Sequence, residues 1–162
     1  MGVEHIAAFG KMLANMAAEA LQNFSVSYEY LLEYGSSKRF FEGMRKSITA
    51  NKAGRFIVED ISSLCVAGVE TVVRQDVLRI GNMYVAPGFR TRGLGRRLLQ
   101  ACKDRALTDK FVQTSMFVGS KNYAGITLYR NNGYQSPDTQ VSEPWDLHPG
   151  VRGELLVKRL VS

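Results

Sequence analysis

At 162 residues the chain is long enough for one domain with its own core, and its composition, 45% hydrophobic and 22% charged, is ordinary for a globular protein. The net charge of +6 is localised, because residues 77–130 carry ten Lys/Arg and two Asp/Glu, whereas the segments on either side each carry a net charge of −1. So local an excess disfavours a nucleic-acid-binding protein, which would present a basic stripe with interleaved aromatic side chains, and favours a small anionic ligand.

Membrane, secretory and metal-binding classes are also disfavoured. No apolar run approaches the length of a membrane span, and Glu4, Lys11 and Glu19 interrupt the apolar spacing of the first residues, so neither a membrane partner nor a secretory signal is expected. Cys65 and Cys102 lack metal-ligand spacing and fall in apolar patterns. They predict buried thiols, no metal and a cytoplasmic compartment.

Helices are predicted first along the chain. Apolar side chains at helical spacing predict them over Val3–Phe24, Ser27–Tyr34 and Lys38–Ala50. The period then changes, and short turns separate three runs rich in Val, Ile and Phe, which predict antiparallel strands over Arg55–Asp60, Leu64–Val73 and Val77–Val85. Gly81, inside the third run, predicts a bulge or the close approach of a backbone or a ligand.

Residues 83–99, M-Y-V-A-P-G-F-R-T-R-G-L-G-R-R-L-L, are the most informative stretch. A β-rich run stops at Pro87, an arginine- and glycine-rich loop follows, and a helix begins near Gly93. Backbone N–H groups of such a loop and of the first helical turn lack internal partners, and the helix dipole adds positive charge. Four arginines add full charges: Arg90, Arg92, Arg96 and Arg97. The segment predicts a pyrophosphate site and therefore a nucleotide-like cofactor.

The remaining elements complete one domain. They are that helix up to Leu107, a strand over Phe111–Val118, a short helix over Ala124–Asn131 ended by Asn132-Gly133, a long loop over Gln135–Gly150 and a closing strand over Gly153–Leu160. The residues of the first helix expected to face the sheet are Leu94, Leu98, Ala101 and Cys102. This order predicts an α+β or α/β sandwich.

Two motifs connect the chain with a known family. The loop has neither the G-K-[ST] of a P-loop nor the third glycine of the dinucleotide fingerprint. R-T-R-G-L-G at Arg90–Gly95 instead matches [RQ]-x-x-G-x-[GA], the signature of the GNAT family of N-acetyltransferases. Downstream, the spacing resembles that family's second cofactor motif, N-x-x-A-x-x-L-Y-x-x-x-G-[FY], at Asn122, Leu128, Tyr129, Gly133 and Tyr134. The resemblance covers residues 56–134, and the N-terminal helices are similar only in kind.

The resemblance implies a fold and a reaction. The fold would be an α/β (α+β) single domain over residues 1–162, with a mixed, mostly antiparallel central sheet flanked by helices. A helical substrate side would span residues 1–53, a cofactor-binding core 54–134, and a loop and closing strand 135–162. The implied co-substrate is acetyl-CoA, whose acetyl group would pass directly to a primary amine.

The resemblance also implies roles for individual residues. The pyrophosphate would rest on backbone N–H groups across 90–96, and the pantetheine arm would pair with the backbone of Met83 and Val85. A backbone N–H near Met83 would hold the developing oxyanion. Asn122 would contact the cofactor, cap its helix, or do both. The implied cofactor-binding residues are Met83, Tyr84, Val85, Arg90, Thr91, Arg92, Gly93, Leu94, Gly95, Arg96 and Asn122, and the implied catalytic residue is Tyr129, as general acid to the departing thiolate.

Two positions depart from the family pattern. Many members place a glutamate where this chain has Asn82, and an asparagine cannot be a general base, although it can orient a water. The base is therefore left open among Glu59, Glu70 and Asp76 acting through water, and an amine that arrives unprotonated would need none. Gly125 replaces the usual small alanine, which predicts a slightly looser helix.

Three further questions stay open at this point. The missing glutamate keeps a CoA-binding module without catalysis as an alternative, beside an acyltransferase that uses a longer acyl-CoA or a hydroxyl acceptor. The acceptor is open among small amines, polyamines, antibiotics, peptide N-termini and lysine side chains. Many relatives pair as dimers, and nothing in this sequence decides between a monomer and a homodimer. No nucleic-acid partner is expected.

Overall fold

A computed structural model describes residues 12, 15, 19, 54–61, 64–137 and 153–160, with side chains at the three N-terminal positions and over 66–137 and 153–160. Met12, Asn15 and Glu19 are helical, as expected within the first predicted helix. The rest of that helix, the helices predicted over 27–34 and 38–50 and nearly all of the predicted loop over 135–150 lie outside the described residues.

Five described strands form one mixed sheet in the order β1-β2-β3-β4-β5. They are β1 (Gly54–Ile61), β2 (Leu64–Arg74), β3 (Val77–Val85), β4 (Gln113–Gly119) and β5 (Gly153–Arg159). β1 to β3 form an antiparallel meander, β4 runs parallel to β3, and β5 returns antiparallel to β4. The prediction of a mixed, mostly antiparallel sheet is confirmed.

Helix α1 (Leu94–Thr108) makes the connection between the two parallel strands, as a parallel pair requires. A 3₁₀ turn (Pro87–Phe89) separates β3 from the loop before α1, and helix α2 (Tyr123–Asn131) follows β4. The chain leaves α2 through Gly133 at φ 83°, a left-handed conformation that glycine adopts at little cost, so the predicted Asn132-Gly133 stop is confirmed.

The core lies between α1 and the sheet. The buried residues of α1 are Leu94, Leu98, Leu99, Cys102 and Ala106. The first four of them belong to one cluster with Val69, Ile80, Met116 and Leu156 of the strands. The prediction of the helix face that packs on the sheet is confirmed except at Ala101, which is only half-buried. At 3.6 residues per turn, Ala101 lies just outside the sector of the helix surface that the five buried residues occupy. Burial raises the pKa of the Cys102 thiol to about 12, as expected for an unreactive core cysteine.

Strand β3 parts from β4 halfway along its length. The two strands pair from Val77↔Gln113 to Ile80↔Met116, and beyond Ile80 the described part of β3 pairs only with β2. There, Asn82 and Met83 stand opposite the single residue Val69, which makes a β-bulge directly after Gly81. A bulge bends its strand, so this one lies where β3 turns away from β4. We call the resulting opening between Gly81–Val85 and the end of β4 the notch.

Candidate active site

The loop and first turn of α1 form a cradle for an anion at the end of β3. Gly93 is the N-cap of α1 at φ 79°, no side chain caps the helix, and the first turn holds no acidic residue. The first backbone bond of the helix runs from the Arg97 N–H to the Gly93 carbonyl, at 3.1 Å. The four N–H groups of residues 93–96 therefore have no partner among the described residues, and the helix dipole favours an anion there.

The loop arginines divide into two kinds. The side chain of Arg90 is held by the protein: its Nε donates to the Val85 carbonyl at 2.9 Å, and its guanidinium lies 5.7 Å from the centre of the Tyr84 ring. A second nitrogen donates to the Glu19 carboxylate at 2.5 Å. Arg92, by contrast, is exposed and lies over the Phe89 ring at 5.3 Å. The sequence did not reveal the partner of Arg90, because Glu19 lies 71 residues away.

These contacts affect the predicted cofactor-binding roles of Arg90 and Val85. The backbone N–H of Arg90 already donates to the Pro87 carbonyl at 3.2 Å, and two of its guanidinium nitrogens already donate within the protein, so fewer of its donors are left for a phosphate. The Val85 carbonyl has a second lone pair, and a pantetheine amide would share that oxygen with Arg90. The cofactor-binding roles of Arg90 and Val85 stay predictions, with Arg90 better placed to brace the cradle than to line it.

Asn122 caps helix α2. Its Oδ1 accepts a hydrogen bond from the Gly125 N–H at 2.9 Å. A Cβ at position 125 would lie 2.7 Å from the Asn122 Nδ2, closer than real Cβ atoms approach other heavy atoms. A glycine at position 125 therefore leaves space for the capping side chain of Asn122. This steric requirement explains the glycine better than its low helix propensity, which had predicted only a slightly looser helix. The capping role predicted for Asn122 is confirmed, and its contact with a cofactor stays a prediction.

The two tyrosines of the second motif are both buried but differ in their hydroxyls. Their rings meet edge to face, with centroids 6.3 Å apart. The Thr114 hydroxyl donates to the Tyr134 hydroxyl at 3.0 Å, whereas no described residue hydrogen-bonds the Tyr129 hydroxyl. Burial raises the pKa of Tyr129 well above that of a free phenol, so the group keeps its proton at neutral pH. The Tyr129 ring shares the core cluster with Met116 and with partly buried Met83, at the notch.

The carboxylates considered as a base are placed very differently. The Asn82 Nδ2 donates to the Glu70 Oε2 at 2.6 Å, across the bulge. Asp76 is exposed in the turn between β2 and β3, roughly 17 Å along the strand from Gly81 at the usual rise per residue. The side chain of Glu59 lies outside the described residues. Asn82 adopts φ 47°, a left-handed conformation in which asparagine is favoured over glutamate, so this backbone gives a reason for the amide.

A mixed sheet that opens between its parallel strands, with an uncapped helix N-terminus at the opening, is the architecture of an acetyltransferase. A sequence model described as the acetyltransferase (GNAT) domain matches residues 52–136, over half of the chain. The chain therefore belongs to the GNAT acetyltransferase family, as the two motifs predicted. It matches none of the curated proteins with which it was compared.

Solved structures share the fold at low sequence identity. The PaiA N-acetyltransferase of Thermoplasma acidophilum, in complex with coenzyme A, is similar with a TM-score of 0.77 and 16% identity, over 99% of this chain and 96% of the other. A GNAT-family acetyltransferase from Staphylococcus aureus Mu50 is similar with a TM-score of 0.70 and 14% identity, over 94% of each chain. The ribosomal-protein-S18-alanine N-acetyltransferase of Escherichia coli has a TM-score of 0.51 and 22% identity, over 70% and 73%.

Two other features are absent from the described residues. Within the described residues, no three His, Cys, Asp or Glu side chains are grouped so that they could hold a metal ion. No helix in this part of the chain is long and apolar enough to cross a membrane.

Proposed function

We propose that this enzyme transfers the acetyl group of acetyl-CoA directly to a primary amine. The observation that carries the proposal is the notch, where β3 leaves β4 after Ile80 and the four open N–H groups of residues 93–96 follow at the end of the same strand. An extended molecule with a diphosphate at one end and amides along its arm fits such a site, because helix N-termini bind phosphates and a strand edge binds amides.

The cofactor end of the site has the donors that a diphosphate needs. The N–H groups of Gly93, Leu94, Gly95 and Arg96 would bind its oxygens, and exposed Arg92 and Arg96 would add charge. Gly95 also lets α1 approach α2, since a Cβ there would lie 2.9 Å from the Leu128 Cδ2. The backbone of Met83, Tyr84 and Val85, together with Asn122, would bind the rest of the arm.

At the reacting end, this chain would supply an oxyanion donor and an acid. Acetyl-CoA supplies a thioester, whose carbonyl carbon is the electrophile. A bulge leaves one residue outside the ladder of backbone hydrogen bonds, so the N–H of Met83 is suited to stabilise charge on the carbonyl oxygen. Tyr129 would donate its phenolic proton to the sulfur as the C–S bond breaks, which its hydroxyl without a described partner supports. Burial, which raises its pKa, keeps the phenol protonated until that step.

The test is acetyl transfer by the purified full chain. We expect release of free coenzyme A thiol when acetyl-CoA is mixed with an amine from a panel of spermidine, a peptide with a free α-amine and N-α-acetyl-lysine amide. Calorimetry with coenzyme A measures the binding step separately. Tight binding without turnover on any amine would favour a CoA-binding module, and absence of binding by folded protein would contradict the proposal.

A further inference from the structure

A carboxylate of β2, that of Glu70, lies beside the bulge of β3 and has no role in the steps described above. Glu70 stands opposite Gly81, the residue just before the bulge and just after the last contact of β3 with β4. Its Oε2 accepts the 2.6 Å hydrogen bond from the Asn82 Nδ2, while its Oε1 has no partner among the described residues. One oxygen of the carboxylate is thus fixed beside the bulge, where β3 has left β4.

We propose that Glu70 accepts the proton of the incoming amine through a water and that Asn82 positions its carboxylate; this inference rests on the proposed acetyl transfer. Glu70 takes one proton from the ammonium group, the neutral nitrogen bonds to the carbonyl carbon, and the C–S bond breaks. Tyr129 protonates the sulfur and regains a proton from the nitrogen. The proton on Glu70 leaves to solvent, so one proton is released for each acetyl group transferred.

The surroundings of Glu70 suit a proton acceptor. Burial raises the pKa of the carboxyl group, and the hydrogen bond from Asn82 opposes that shift only in part. A carboxylate with a raised pKa is a stronger base than a solvated one. Glu19, another carboxylate on this side of the sheet, is bound to Arg90, which lowers its pKa and makes it a weaker base.

Among the described residues, no other group on the Glu70 face contributes to its pKa shift, which comes from burial and Asn82. On β1, register places Gly54, Phe56 and Val58 on this face, none of which titrates. On β2 and β3, the charged residue closest to Glu70 in the strand register is Arg79, which pairs with Val72 and is therefore the diagonal neighbour of Glu70. Exposed Arg74 lies farther along β2. Tyr84, opposite Gly68, follows beyond the bulge and lies beside Glu19. None of these is a cause of the Glu70 shift.

The backbone explains why an asparagine suits position 82. With φ at 47°, position 82 favours asparagine, and the carboxylate comes from the neighbouring strand instead. The same conformation supplies a clean variant, because Asn82→Gly removes the amide and keeps the backbone. Asp76→Asn is the matched control, since it removes an exposed carboxylate from the same strand pair, far from the bulge.

The experiment compares pH profiles of kcat for thiol release, with the most active amine of the panel. Glu70→Gln should lower kcat about 10²- to 10⁴-fold at neutral pH and replace the acidic limb that Glu70 sets by one that follows the ionisation of the amine itself. Asn82→Gly should move the acidic limb to higher pH, because the bond that lowers the Glu70 pKa is lost. Glu70→Asp should restore part of the rate, and Asp76→Asn should leave the profile unchanged.

Two results would overturn the inference in distinguishable ways. If wild type turns over and Glu70→Gln keeps its rate and its acidic limb while binding coenzyme A normally, Glu70 is not the proton acceptor and the transfer reaction stands. If wild type binds coenzyme A and acetylates none of the amines, the proposed transfer fails, and this inference fails with it. The melting temperature checks the folding of Glu70→Gln, which should gain stability relative to wild type as pH rises, since ionising a buried carboxylate destabilises the fold.

Discussion

The carboxylate of Glu19 and the guanidinium of Arg90 are joined by a 2.5 Å hydrogen bond that links a helical residue near the N-terminus to the arginine- and glycine-rich loop before α1. Arg90 also holds the Val85 carbonyl, so one side chain connects a helix, the end of β3 and the loop. The hydrogen bond from Arg90, its positive charge and a hydrogen bond from Tyr84 together lower the pKa of Glu19. Glu19 thus braces the loop of the cradle through Arg90.

Glu19→Gln should weaken this brace without unfolding the protein. The Glu19 side chain is 22% exposed and that of Arg90 42%, so the stability loss should not exceed about 1 kcal/mol. A carboxylate with a lowered folded pKa stabilises at neutral pH, and its contribution is lost as pH falls below the ordinary value of 4.5. The melting temperatures of wild type and variant should therefore differ at pH 7 and converge in acid. Equal melting temperatures at both pH values would show that the pair stabilises nothing.

Tyr129→Phe and Tyr134→Phe should separate chemistry from stability. Loss of the Tyr129 hydroxyl should lower kcat for acetyl transfer about 10²- to 10⁴-fold with little change in melting temperature, because no described residue bonds that hydroxyl. Loss of the Tyr134 hydroxyl removes the acceptor of Thr114 and should cost about 1 kcal/mol in the free energy of unfolding while kcat is retained. Equal effects of the two variants on kcat would argue against Tyr129 as the acid.

Gly93→Ala should damage the cradle through backbone conformation alone. Gly93 adopts φ 79°, and no atom lies within 4 Å of the position that a Cβ would occupy, so the substitution causes strain and no collision. The strain of about 1–2 kcal/mol should shift the loop and weaken binding of coenzyme A in calorimetry. Gly88→Ala is the matched control, since it also meets open space but has an ordinary φ, and its affinity should equal that of wild type.

Local sequence patterns were sufficient to predict the strands and helices, including β3 and α1, which border the candidate site. The third strand has its predicted bounds at Val77–Val85, and the helix predicted near Gly93 begins at Leu94. These predictions succeeded because strand alternation, turn residues and a glycine N-cap act over a few neighbouring residues. The bulge beside Gly81 was predicted as one of two interpretations of that glycine.

Contacts between residues far apart in the chain could not be predicted from the sequence. Arg90 was predicted to add positive charge to a pyrophosphate site, but nothing in the neighbouring sequence indicates that residue 19 would bind its side chain. Glu70 and Asn82 were both named, yet their contact depends on a bulge that shifts the register by one residue, and register is set by the whole sheet. The same limit applied to Gly125, whose role depends on the rotamer of Asn122.

That rotamer makes the effect of Gly125→Ala depend on residue 122. In wild type, alanine should gain about 1 kcal/mol of helix propensity but displace the cap, which is worth 0.5–2 kcal/mol, so the net change in the free energy of unfolding should be near zero or unfavourable. In an Asn122→Ala background no cap remains to be lost, and the same substitution should stabilise by about 1 kcal/mol. Denaturant unfolding of the four proteins measures the coupling. Additive effects would mean that a Cβ at position 125 and the capping Asn122 side chain fit together after all.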